Sequence, residues 1–235
     1  GFLGQTCWIG GLHGKLDISK IEPDEVPTLY AGHEIAGHGL NHASPTDIGS
    51  SAYFYETIED KAALEHLTGN LVLGYAYPFG AYDEKTKNVM QLAGYHYART
   101  VDTTRQFELP TDFLAWKGTC HHNDPQLMQL AERFCRGEHF SLHTKLFYVW
   151  GHSYEFADDD NWSCIEGLCS TLNKQGSDIW FATNIEIFDY VTAFRRLEYG
   201  AEGSLVYNPS ALSVSLRRGG KTYTIAPLST SDLDR

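Results

Sequence analysis

The sequence predicts an α/β fold built on a parallel sheet, and three observations lead there. Continuous apolar runs such as Leu71-Val72-Leu73-Gly74-Tyr75-Ala76 and Leu146-Phe147-Tyr148-Val149-Trp150 are short and unbroken by polar residues, as strands covered on both faces are. Helical patterns alternate with such runs from His33 to Tyr199, which is the order of βα units. Polar residues repeatedly follow the strand ends. His38, Gly80, Arg99, His121, His152 and Asn184 would therefore share the C-terminal rim of a barrel, where barrel enzymes place their chemistry.

Residues 1–22 are punctuated by glycines around a short apolar piece, Cys7-Trp8-Ile9, and read as a loop. Pro23-Asp24-Glu25 opens a short helix that stops at Gly32, and a strand follows over 34–37. Apolar residues at Phe54, Ile58, Ala62 and Leu67 predict a helix ending at Gly69, before the strand over 71–76. Asp83 caps the next helix, with Val89, Met90 and Ala93 inward and Gly94 as its stop. Strands are expected over 95–99 and 113–116, then a helix over 125–136 and the strand over 146–150. Ser163 and Glu166 form a capping box for a helix whose apolar stripe is Ile165, Leu168, Cys169 and Leu172, which puts Cys169 in the core. A strand over 179–182 leads into a helix carrying Ile187, Val191 and Phe194. In the tail, Leu212, Val214 and Leu216 alternate with serines, and Arg218-Gly219-Gly220-Lys221 turns the chain into Tyr223 and Ile225, a β-hairpin.

With 235 residues, 42% of them hydrophobic, the chain can bury a sizeable core. A net charge of -12 argues against a nucleic-acid partner, because neutralising phosphates takes a basic face. No apolar run reaches the ~20 residues of a membrane span. Five cysteines, odd in number and without C-x-x-C spacing, favour reduced thiols and with them the cytoplasm.

Metal-competent side chains concentrate in Gly32-His33-Glu34-Ile35-Ala36-Gly37-His38-Gly39-Leu40-Asn41-His42. If a helical turn follows His38, it and His42 lie roughly 40° apart and can reach one ion. Neutral imidazole suits zinc, and a catalytic zinc site takes three protein ligands, so a third is needed from elsewhere. His33-Glu34 begins the zinc-protease pattern H-E-x-x-H, but Gly37 stands where the second histidine should be. Adjacent His121 and His122 would point apart in a strand and could not easily share a metal; each suits substrate contact or a local cap.

The motif from Gly32 to His42 resembles the second motif of the polysaccharide deacetylase family, the NodB-homology domain of carbohydrate esterase family 4. Tyr77-Pro78-Phe79-Gly80 resembles its third motif, with Ala76 where arginine is usual, and Trp150-Gly151-His152 its last. The resemblance runs over about residues 1–200 and implies a distorted (β/α) barrel there, with 201–235 as a C-terminal β-hairpin extension. The first motif, paired aspartates that supply a metal ligand and the general base, is absent. The chain opens at Gly1-Phe2-Leu3-Gly4 and is expected to be a fragment lacking the first strand.

The resemblance implies a metal-dependent hydrolase that removes acetyl groups from an N- or O-acetylated polysaccharide or oligosaccharide. His38 and His42 would hold a divalent ion, zinc being favoured, and His152 would be the general acid. Tyr77, Pro78, Phe79, Gly80, Trp150 and Tyr154 would contact the acetylated glycan, and Arg99 could supply the cation absent at Ala76. Two alternatives stand: a catalytically impaired glycan-binding protein on the same barrel, and a metal hydrolase of another amide or ester.

Overall fold

The computed structural model describes residues 23–137 and 144–234; the glycine-rich opening with Cys7, Trp8 and Ile9 lies outside them. The chain is α/β and divides into two compact units, Gly1–Phe181 and Ala182–Arg235.

In the first unit a 3-10 turn, Pro23–Glu25, leads into α1 (Val26–Leu29). The chain then extends beside β1 (Gly74–Ala76): Gly37 N–H donates to the Gly74 carbonyl, and Ala76 N–H to that of Gly37, both at 2.9 Å. β1 pairs in parallel with β2 (Tyr97–Thr103), and β2 with β3 (Trp116–Gly118). After Thr119, β4 (Cys120–His121) pairs in parallel with β5 (Val149–Trp150). His38 and Tyr77 leave parallel neighbouring segments of the first sheet at like ends, and His122 and Gly151 do the same in the second.

Tyrosine dominates the core over this sheet. Tyr53, Tyr75, Tyr77 and Tyr95 are all but fully buried with Leu64, Val72 and Met90. Tyr75 meets Tyr95 at 5.1 Å and Tyr77 at 5.8 Å, tilted and edge-on, the arrangements that ring quadrupoles favour. Buried hydroxyls need acceptors, and Tyr77 and Tyr95 donate to the Leu114 and Thr57 carbonyls at 2.9 and 3.2 Å. Gly74 is required here because the Tyr97 ring fills the space a Cβ would take.

α2 (Ser50–Thr68) ends at Gly69 with φ 68°, the left-handed cap that glycine adopts freely. Its buried face is Tyr53, Glu56, Thr57, Asp60 and Leu64, whereas Phe54 and Ala62, expected inward, are exposed. Two acids on that face bond a loop and turn the helix away from its apolar stripe. α3 (Glu84–Leu92) starts on the Asp83–Thr86 capping box. α4 (Leu127–Cys135) buries Leu127, Leu130 and Ala131 in a second cluster with Phe107, Cys120 and Leu168. After α5 (Ser153–Asp158), α6 (Trp162–Asn173) begins behind Asn161, so Ser163 lies inside the helix and caps nothing. Cys169 is exposed while Leu168 is buried. Residues 179–182 form no strand; Trp180 and Phe181 are 58% and 57% exposed, and without a cover an apolar run gains nothing from extending.

The second unit opens with α7 (Asn184–Arg195), whose Thr183–Glu186 capping box is in place. β6 (Glu198–Tyr199) pairs antiparallel with β7 (Leu205–Asn208). β8 (Val214–Arg218) and β9 (Lys221–Ile225) pair antiparallel across Gly219 and Gly220, in the register Val214↔Ile225 and Leu216↔Tyr223. β10 (Ser229–Asp232) returns beside β7. Ala193, Leu197, Val206, Val214, Ile225 and Leu233 form its core.

Candidate active site

No helical turn follows His38. The chain leaves the β1 edge, Gly39 takes φ 86° and His42 φ 55°, and this reversal brings the His42 ring back to 4.6 Å from the His38 ring. A histidine in the left-handed region is strained by about 1–3 kcal/mol, so the surrounding contacts must hold it there. α2 provides them. His38 and Gly39 N–H donate to Asp60 Oδ2 at 2.7 and 2.8 Å, Leu40 N–H to the Glu56 carbonyl at 3.2 Å, and Asn41 N–H to Glu56 Oε2 at 2.8 Å. Asn41 Nδ2 adds a bond to Glu56 Oε1 at 2.6 Å.

His38 Nδ1 lies 2.7 Å from the Ala76 carbonyl, which can only accept, so Nδ1 carries the proton and Nε2 keeps its lone pair. Burial lowers the His38 pKa to about 3; the carbonyl opposes this, and the charges of His42, Arg99 and His152 add to it. The ring is therefore neutral at working pH, the form that binds metals. Asp60 is fully buried, and burial raises its pKa to about 6 against the pull of the two amides.

Tyr77-Pro78-Phe79-Gly80 follows β1 as a tight turn with Phe79 at φ 58°. Tyr77 and Pro78 are buried and offer no face to a ligand, whereas Phe79 is 67% exposed, its ring 4.6 Å from that of His42. Gly80, φ 68°, lies on Val101, leaving no room for a Cβ. Ala76 and Arg99 are direct neighbours across the β1–β2 register, and the Arg99 guanidinium lies over the Trp150 ring, 4.8 Å from its centre.

A second group of imidazoles gathers where β4 and β5 end. Glu155 Oε2 stands 3.3 Å from His121 Nε2, 3.3 Å from His122 Nε2 and 3.4 Å from His152 Nδ1, and it accepts His152 N–H at 3.2 Å. His121 and His122 do not point apart. The strand ends at His121, and the turn lays the two rings side by side at 4.3 Å. Burial lowers the pKa of both, and Glu155 counteracts it. Tyr154 stacks on His152 at 5.2 Å, and Trp150 lies edge-on to His121 at 4.4 Å.

Of the residues singled out from sequence, His38, His42 and Phe79 thus form one contact group, and Trp150, His152 and Tyr154 another. Arg99 bridges them, touching Trp150 and acting electrostatically on both His38 and His121. Sequence reasoning missed Glu56, Asp60 and Glu155 as parts of the site, and it offered His122 only as a substrate contact or a local cap. The one available signal was Glu155, three residues after His152 at the start of a helix.

The sequence model of the polysaccharide deacetylase family matches residues 6–98. No curated protein sequence matches the chain significantly. Among solved structures, a polysaccharide deacetylase from Bacillus cereus is 26% identical, over 43% of this chain and 33% of that one, with a TM-score of 0.38. A family 4 carbohydrate esterase from Streptomyces lividans, in complex with acetate, is 15% identical over 66% and 70%, with a TM-score of 0.39. A pseudoenzyme of the same esterase family from Bacillus anthracis is 14% identical over 68% and 48%, with a TM-score of 0.46. The chain thus spans a third of the length of the Bacillus cereus protein. Residues 6–98, the stretch matched by the polysaccharide deacetylase family model, include His38, His42 and the turn at 77–80.

Proposed function

We propose that this chain forms part of a metal-dependent hydrolase that removes acetyl groups from an N- or O-acetylated polysaccharide or oligosaccharide, on a distorted (β/α) barrel. The observation that carries this reading is the His38 ring, oriented by the Ala76 carbonyl with Nε2 unprotonated and His42 beside it, inside the deacetylase-matching stretch. That donor set fits a divalent ion, because a metal-binding histidine gives its other ring N–H to a carbonyl or carboxylate. When bound, zinc or a similar ion would supply Lewis-acid polarisation of the acetyl carbonyl. His38 and His42 would hold it, and a third ligand is to be sought outside the described residues.

Among the described groups, His152 is suited to protonating the leaving amine or alkoxide. It is half-exposed, and Glu155 sits on its Nδ1 side, leaving the other nitrogen for the substrate. Phe79, Trp150 and Tyr154 offer rings to a sugar. Tyr77 and Pro78 serve the site from below, by fixing the turn that presents Phe79. Ala76 in place of the arginine expected from the resemblance supports a second reading, in which the chain binds glycan without deacetylating it.

The test is acetate release from N-acetylglucosamine oligomers and acetylated xylan, with metal content measured on the same samples. His38→Ala and His42→Ala should each weaken metal affinity at least ~100-fold and abolish release, whereas His33→Ala should do neither. Undiminished metal in both variants would overturn the ligand assignment. Glycan binding without acetate release in the metal-loaded parent would favour the second reading.

A further inference from the structure

We propose that His121, His122 and Glu155 form a second divalent-metal centre, with ligands separate from His38 and His42. Their donor atoms lie within 4.8 Å of one another, the one such group of three among the described residues. A tetrahedral ion with bonds of about 2.0–2.1 Å sets its ligand atoms about 3.3–3.4 Å apart. Both imidazole-to-carboxylate separations here, His121 Nε2 and His122 Nε2 to Glu155 Oε2, are 3.3 Å. A second observation is independent of that spacing. His122 is 3% exposed, and its buried Nε2 has no hydrogen-bond partner, with Glu155 Oε2 standing 3.3 Å away. An ion placed between them would satisfy both groups.

The surroundings hold these side chains in place. The His122 ring lies on the backbone of Gly151, where a Cβ would strike it, and the Phe156 ring packs against it at 4.3 Å. Glu155 is fixed by His152 N–H at 3.2 Å, the outer-shell bond that a ligating carboxylate usually has. One contact works against metal. Asn123 N–H donates to His121 Nδ1 at 3.1 Å, which leaves the ring proton on Nε2. Binding an ion at Nε2 moves that proton to Nδ1 and gives up the Asn123 bond, a loss of roughly tenfold in affinity. His121 is therefore the weakest of the three ligands. Two imidazoles and one carboxylate select zinc, cobalt or nickel over magnesium or calcium, and the fourth position stays open to water or a ligand oxygen.

The experiment uses the full chain carrying His38→Ala and His42→Ala together, dialysed against cobalt or zinc and analysed for metal, with circular dichroism to confirm folding. One equivalent should remain, with the visible absorption of tetrahedral cobalt. Adding Glu155→Gln, which keeps the shape, or His122→Ala should weaken that binding at least ~100-fold, and His121→Ala about tenfold. A folded double variant that holds no metal, or one that holds it equally well after Glu155→Gln, overturns the proposal. The assignment of His38 and His42 is judged separately, by the loss of the first equivalent from the parent chain.

Discussion

Asp60→Asn tests whether burial or hydrogen bonding governs the acid beneath the His38 loop. The parent carboxylate is fully buried and accepts the His38 and Gly39 amides at 2.7 and 2.8 Å. Burial nevertheless dominates and raises the pKa from 3.8 to about 6, with Glu56 adding to the rise. Between those values the folded chain keeps a proton that the unfolded chain has released. The stability linked to Asp60 is therefore fully present below about pH 4 and is lost as pH rises through 6. A gap of about two pH units corresponds to roughly 3 kcal/mol, or about 6–12 °C in melting temperature for a unit of this size. Asparagine cannot ionise, so that loss is absent from the variant. Its amide nitrogen would stand where Oδ1 has no hydrogen-bond partner, a penalty that does not change with pH. Thermal melts in chelator from pH 4 to 7.5 should show the variant gaining about 6–12 °C on the parent as pH rises. A constant difference would refute the burial argument. A variant that gains at low pH instead would show that the two amides outweigh burial.

His152→Ala in the metal-loaded protein should lower acetate release by roughly 10²–10⁴-fold with metal content unchanged. Near-normal turnover would take His152 out of the chemistry and direct attention to His121 and His122. Gly151→Ala should push the His122 ring off the backbone and lower the melting temperature by roughly 2–12 °C, following the ~1–3 kcal/mol typical of overpacking. An unchanged melt would show that the ring has room to move.

Strand exits are the part of this fold that sequence shows well. The run ending at Ala76 delivers the turn at 77–80, and that ending at Trp150 delivers His152, although the strands are shorter than the runs, Gly74–Ala76 and Val149–Trp150, and the second is only half-buried. Helix stops at Gly69 and Gly94 are equally plain, since both need positive φ. The face of α2 is not legible. Pattern rules bury the apolar residues, and here Glu56 and Asp60 go inward because loop amides await them. His121 and His122 are misread for a related reason: the rule that neighbours diverge holds only while a strand continues, and this one stops between them. Ile179-Trp180-Phe181 shows the reverse error, an apolar run that pairs with no strand among the described residues.

Four successive amides, from His38 to Asn41, are all taken up by Glu56 and Asp60 on one turn of α2. A loop held in this way has given up its conformational freedom in the absence of any ion, so binding of an ion there would add little ordering entropy. Small domains that fold only around their metal behave in the opposite way. Here exchange of the ion would be timed by ligand dissociation and not by refolding of the loop. The histidine loop and the helix beneath it are also one inseparable module: residues 38–42 moved to another scaffold without 56 and 60 would keep their imidazoles and lose the shape that aims them.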